Sequence, residues 1–213
     1  MIKIMDNSNN ENSRQRILQA ATKLFARKGF DGTSIRQICK EANANICMIS
    51  YFWGGKQELY NGIIEDLVEK QTEYAKTFID FDLDPSILDK KSQIELLKTV
   101  VDKAIEFFYS KKISKDLLIF LLKAQQSEKS AINSPVFVYL RKLIGAIFNK
   151  SENDREIIFK TVFIISQFNS PKILPNFSLY PLGQDDFIQE DIKIIKENVK
   201  LYINALIKEA GIV

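Results

Sequence analysis

Apolar residues recur three or four positions apart along nearly the whole chain, the spacing of a helix with one buried face. From Ser13 the pattern runs through Ile17, Leu18, Ala21, Leu24 and Phe25 and predicts a first helix that ends at Gly29. Asp31-Gly32 reads as a turn. Ser34, followed three residues later by Gln37, is a capping box that opens a short helix with Ile35, Ile38, Cys39 and Ala42 inward. The turn Asn43-Ala44 leads to a second short helix, with Asn45 as its N-cap and Ile49 and Trp53 on its inner face. Gly54-Gly55 ends it. A longer helix follows from Lys56 to about Ile79, burying Leu59, Ile63, Ile64 and Leu67.

Phe81 to Asp84, with Pro85, reads as a boundary loop. Helices are then predicted over Ser92–Ser110, opened by a Ser92/Glu95 capping box, over Lys115–Gln126, and over Pro135–Phe148 with proline in the first turn. Residues 154–168 form another, with an Asn153/Glu156 capping box. It is apolar on almost every side through Ile157, Ile158, Phe159, Val162, Phe163, Ile164, Ile165 and Phe168, so it needs cover on more than one face. Ser170–Gly183 contains three prolines and reads as a loop. The last helix runs from about Asp186 to Ala210 and is closed by Gly211. Its Ile188, Ile192, Ile195, Val199, Tyr202 and Leu206 repeat at intervals of 4, 3, 4, 3 and 4, a heptad seam. The expected fold class is all-α.

Helix, short turn, helix within residues 13–55 is an arrangement that places a second helix in a DNA groove, but periodicity alone fits a generic helical bundle equally well. Composition narrows the choice of chemistry. Apolar residues make up 46% and charged residues 27%, an ordinary globular balance, and the net charge of +3 permits nucleic acid without arguing for it. No apolar run is long enough for a membrane span, and the N-terminus lacks the apolar segment of a signal peptide, so a cytoplasmic location is expected. The chain has no histidine, which excludes Ser-His and Cys-His hydrolase chemistry. Cys39 and Cys47 alone make no zinc site of the usual type and are not expected to pair in the cytoplasm. With no Gly-rich phosphate loop and no paired-carboxylate motif either, the chain is not expected to be an enzyme, and no cofactor or metal is expected.

Residues 14–60, RQRILQAATKLFARKGFDGTSIRQICKEANANICMISYFWGGKQELY, resemble the DNA-binding domain of the TetR family of bacterial transcriptional regulators. The resemblance is carried by Ile17-Leu18, Ala20-Ala21, Leu24-Phe25, Gly29, Thr33-Ser34, Ile38, Ala42, Ile49, Tyr51, Trp53 and the run Gly55-Lys56-x-x-Leu59. It implies a three-helix head with a helix-turn-helix over residues 11–71, and a helical effector-binding and dimerisation body over 72–213. The implied protein is a homodimeric repressor, released from a pseudo-palindromic double-stranded operator by a small, lipophilic effector. The rival reading is a helical small-molecule or lipid carrier with a degenerate head.

By the same resemblance, Asn45, Ile46, Cys47 and Met48 would meet base edges or the backbone near them, and Ser50, Tyr51 and Phe52 would lie against the DNA. Ser34 and Arg36 match positions that touch phosphate or bases, and Lys56 would bind phosphate. Trp53 would face inward. Ile158, Val162 and Ile165, with Ile192, Ile195, Val199, Tyr202 and Leu206, are the expected dimer interface. Phe78, Phe107, Phe108, Phe120, Phe137, Phe148 and Phe163 are candidates to line an apolar effector pocket. The chain departs from the family where Asn43 replaces a turn glycine, Cys47 a small residue, and Phe52 a histidine. Phe52 offers no hydrogen-bond donor there.

Overall fold

The structure, a computed structural model, describes residues 2–126, 134–209 and 211, with side chains from residue 10 onward. Among the described residues it is helical throughout, without strands. The elements are α1 (Ile2–Lys28), α2 (Ile35–Ala42), α3 (Cys47–Trp53), α4 (Lys56–Ala75), a single 3-10 turn at Pro85–Ile87, α5 (Lys90–Phe108), α6 (Lys115–Gln125), α7 (Pro135–Phe148), α8 (Arg155–Ile173), α9 (Pro175–Leu182) and α10 (Gln189–Glu209). They fall into two compact units. The first is Met1–Lys70 with Ser114–Ile132, and the second is Gln71–Ile113 with Asn133–Val213.

In the first unit α1 packs against α2, α3 and α6. Its core gathers Ile17, Ala21 and Phe25 of α1, Ile38 of α2, Ile49 of α3, and Leu59 and Ile63 of α4. Phe120 of α6 completes it, against Phe25 and Tyr60 at ring separations of 6.3 and 4.8 Å. The Lys123 ammonium donates to the Ala26 carbonyl at 2.6 Å, fixing α6 to the last turns of α1. So α6, expected in the body, belongs to the head unit, and Phe120 is head core rather than pocket lining.

In the second unit α7 lies between α5 and α8, and α10 packs against both α5 and α8. Val100, Val101 and Ile105, Leu143, Ile144 and Ile147, Ile157 and Ile164, and Val199 and Ile203 meet in its core. The predicted seam of α10 points here. Val199 and Leu206 are buried, and Ile192, Ile195 and Tyr202 pack against the same core. The heptad spacing is therefore an intramolecular seam, and those positions are not a free dimer face. A lysine cluster ties three helices of this unit together. Glu106 of α5 accepts from Lys103 at 2.9 Å, from Lys196 of α10 at 2.9 Å, and from the Tyr74 hydroxyl of α4 at 3.1 Å.

Those donors, Lys103 first, then Lys196, hold the Glu106 carboxyl at about 2, below its ordinary 4.5. A carboxylate depressed in the folded state stabilises the fold above its unfolded value, and that contribution is lost as pH falls through the folded one. The advantage of the native chain over Glu106→Gln is expected to be level above about pH 4.5 and to fade between there and about pH 2, read from urea midpoints across the range.

Several boundaries differ from the sequence expectation, each for a local reason. The first helix begins at Ile2 rather than Ser13. Its Asn-rich start has no apolar spacing to reveal it. α4 ends at Ala75, and a turn carries the chain to Ile79. α5 is capped by Asp89, whose carboxylate accepts the Ser92 amide at 3.0 Å, one turn before the Ser92/Glu95 pair. α8 is capped by Asp154, not Asn153, through the Glu156 amide at 2.8 Å.

The largest change is at residues 170–183, which are helical. Pro171 lies inside α8, Pro175 opens α9, and Pro181 sits in its last turn. Pro175, at a first helical position, loses no bond the helix would have made, whereas Pro171 and Pro181 each remove one backbone donor inside a helix that nonetheless continues past them. α10 starts at Gln189, three residues later than expected. Ala210, its expected last residue, lies outside the described residues.

Candidate nucleic-acid interface

α2 is set by its ends. Ser34 Oγ accepts the Gln37 amide at 3.2 Å, and Gln37 Oε1 accepts the Ser34 amide at 3.0 Å, closing the capping box. Its inner face, Ile38, Cys39 and Ala42, is buried, and burial pushes the Cys39 thiol up. Asn43 ends the helix in the left-handed region, at φ 47° and ψ 54°. Asparagine tolerates that conformation better than most side chains, so the turn closes without glycine. The Ala44 amide then reaches the Cys39 carbonyl at 3.0 Å.

α3 follows at once. Asn45 Oδ1 accepts the Cys47 amide at 2.9 Å, so Asn45 caps the helix by side chain although Ile46 is the residue next to its first turn. Ile49 is wholly buried and anchors the helix. Gly54, at φ 86°, ends it in a conformation that side chains resist, and its amide bonds the Ser50 carbonyl at 3.0 Å. The chain can then enter α4 at Lys56.

The outward face so formed gathers Ser34 and Arg36 of α2 with Asn45, Ile46, Cys47, Ser50 and Tyr51, all exposed. Tyr51 is 75% exposed, a position no packing argument explains. Three of the ten candidates sit differently. Met48 and Phe52 are half-buried and pack against the head core, and Lys56 is half-buried with its ammonium 4.2 Å above the Phe30 ring. Phe52 stands between its neighbours, its ring 5.0 Å from Tyr51 and 5.5 Å from Trp53, both near edge-on. So the aromatic run is a stepped stack from solvent to core.

Spacing did not reveal what Trp53 rests on. A β-carbon built on Gly62 of α4 would fall 2.6 Å from the indole nitrogen, so the indole lies directly on that glycine. The Arg14 guanidinium lies 5.7 Å from the indole centre. An isolated glycine inside a helical pattern was the available signal.

The seven candidate pocket phenylalanines do not meet. Phe120 is in the head core, and Phe163 is 53% exposed on α8. Phe107 stacks on Tyr74, Phe108 meets Tyr109 and Phe168 edge-on, and Phe148 lies under the Lys160 ammonium. Phe78 packs against the body core, and Phe137 is half-buried on α7. Both cysteines are free. Among the described residues no group of side chains could hold a metal ion, and no helix is long and apolar enough to cross a membrane.

A capped helix, a tight turn and a second helix with a solvent-facing polar and aromatic surface define a helix-turn-helix protein of the DNA-binding regulator class. Residues 17–63 match the family model for bacterial regulatory proteins of the tetR family. The match covers the head of the chain, which carries a DNA-binding domain of the tetR type. The chain is 25% identical over 208 residues to the Bacillus subtilis protein named "Probable HTH-type transcriptional regulator YttP", covering 94% of this chain and 96% of that one. It is 23% identical to the HTH-type transcriptional dual regulator CecR of Shigella flexneri, over 93% and 92% of the two chains. Its fold is shared with the TetR family transcriptional regulator PfmR of Thermus thermophilus, at a TM-score of 0.57, 16% identity, and 91% and 95% coverage.

Proposed function

We propose that this regulator is a cytoplasmic repressor. A homodimer holds a pseudo-palindromic operator and is released from it by a small, lipophilic effector. The observation that carries the DNA-binding part is the exposed face of α3, with Tyr51, Ser50 and Cys47 outward and Ile49 locked inward. Such a helix offers its side chains to a major groove, while Ser34, Arg36 and Lys56 address the phosphates that flank it. Met48 and Phe52 meet DNA by their outer edges only. Lys56 begins α4, where the first-turn amides and the helix dipole favour a phosphate oxygen. The DNA-binding domain spans residues 11–71 together with α6, and the remaining residues form the effector-binding and dimerisation domain.

Two recognition helices related by a dimer axis must meet half-sites about 34–36 Å apart. α4 runs unbroken from Lys56 in the first unit to Ala75 in the second. An effector that shifts its last turns alters the spacing at its first, and a few ångströms breaks simultaneous docking.

Gel shifts on the DNA flanking the protein's own gene, across a salt series, test the reading. Binding is expected at low salt and should weaken steeply as salt rises. Lys56→Ala should make log affinity against log salt shallower by roughly 0.9 for each phosphate it leaves without a cation. Absence of binding at low salt, or retention of DNA unchanged by Lys56→Ala and Tyr51→Ala, would favour the carrier and overturn the repressor.

A further inference from the structure

The second unit holds an open cleft of about 440 Å³ between α5 and α10, which none of the seven phenylalanines lines. Val101 and Ile105 of α5 and Val199 and Ile203 of α10 lie at its bottom, each only 1–2% exposed, so the apolar surface open to a ligand comes from the side-chain stems above them. Its rim is mostly cationic. Lys98 and Lys103 stand on one wall and Lys196 and Lys200 on the other, against the carboxylates of Asp102 and Glu197.

The four lysines differ in what they already hold. Lys196 lies 2.9 Å from both Asp102 and Glu106, and Lys103 lies 2.9 Å from Glu106. Lys98 and Lys200 make no ion pair among the described residues. The apolar stems of the rim side chains favour hydrocarbon, and uncommitted ammonium groups on both walls favour an anion. A neutral lipid would leave the charges unanswered, and a cationic one would be repelled by them.

We propose that this cleft is the effector site and that its ligand is an amphiphilic anion, a carboxylate on an alkyl chain. The head binds Lys98 and Lys200, and the chain lies in the cleft against the side-chain stems that cover Val101, Ile105, Val199 and Ile203. This inference rests on the effector-released repressor proposed above and names its ligand class. The cleft also has a route to α4. Lys196, Lys103 and Asp102 line it, and Glu106, which holds both lysines, accepts the Tyr74 hydroxyl in the last turns of α4. A carboxylate held by Lys98 and Lys200 adds negative charge to the rim they share with Lys196 and Lys103, and draws those two ammonium groups away from Glu106. The Tyr74–Glu106 hydrogen bond is the contact through which that pull reaches α4.

Calorimetric titration of the DNA-free, full-length protein with decanoate, decanol and decyltrimethylammonium reads the ligand class. Decanoate should bind, and the other two should bind at least about tenfold more weakly. The double variant Lys98→Ala/Lys200→Ala should lose roughly tenfold or more in decanoate affinity. Tyr74→Phe should bind decanoate within about twofold of the native protein, yet keep its operator when decanoate is added in a gel shift.

Decanol binding as tightly as decanoate, or a double variant that binds decanoate normally, overturns the site. Decanoate release from Tyr74→Phe that matches the native protein overturns the coupling. The titration needs no DNA, so its failure leaves the repressor reading standing, and failure of the gel shift alone leaves the cleft standing.

Discussion

Replacing Phe159 and Phe163 of α8 with glutamate is expected to give a folded monomer that has lost its operator. Along α8, Ile157, Thr161, Ile164 and Phe168 turn inward and are buried. Phe159, Val162 and Phe163 turn outward, each about half exposed, at 50%, 50% and 53%. Ile194 and Leu201 stand exposed on α10, the helix that packs against α8. Phe159, Val162 and Phe163, at helical spacings of three and four, form one exposed apolar face of the kind that association covers. In the proposed homodimer its match is a second copy related by a two-fold axis, which puts the same patch on both sides.

Four glutamates at the centre of a symmetric interface would repel one another and leave charges without partners. The side chains already reach solvent, so the monomer keeps its core. Losing the second half-site removes the avidity of two-headed binding, worth about a hundredfold or more. Sedimentation should show half the mass, circular dichroism an unchanged helix content, and the gel shift a loss of at least that size. A double variant that still sediments as a dimer would place the interface elsewhere.

The same helices show which features sequence can reveal. α2 is legible because its capping box and its three buried residues lie within nine positions, Ser34 to Ala42. α7 is legible because Pro135 marks its start and Asn149, in the left-handed region, follows its end. The apolar ring of α8 reads as needing cover on more than one side; one face packs inward, and Phe159, Val162 and Phe163 on the other are about half exposed. The seam of α10 misleads because a period near 3.5 is equally good for packing inside one chain.

Of the recognition face, the exposed and buried positions of α3 follow from its period, apart from Met48 and Phe52. In a helix of only seven residues they lie on the flank, and a flank is half-buried by whatever stands beside it. Aromatic spacing could not place the proposed effector pocket, because a phenylalanine in a core and one beside a ligand leave the same pattern. The α5–α10 cleft is defined instead by lysines, which sequence reading assigns to solvent.

Gly62→Ala is expected to weaken operator binding roughly tenfold or more while the head remains folded, a loss of about 1–3 kcal/mol. Inside a helix the change from glycine to alanine should by itself help, by about 0.5–1 kcal/mol. Here the new methyl group would lie 2.6 Å from the Trp53 indole nitrogen and 2.8 Å from its Cδ1, well inside contact distance. The indole must move, and it is the last residue of α3.

A helix of seven residues cannot hold its own shape or position, so α3 is oriented by its attachments. Ile49 fixes its middle and Trp53 its end. Pushing Trp53 off α4 tilts the outward face that carries Cys47, Ser50 and Tyr51. Trp53→Phe removes the atoms that clash, so the Gly62→Ala/Trp53→Phe pair should recover affinity relative to Gly62→Ala alone, with a coupling of about 0.5–3 kcal/mol. If Gly62→Ala binds operator like the native protein, α3 takes its orientation from Ile49 and the Gly54 turn, and the indole is only filling space.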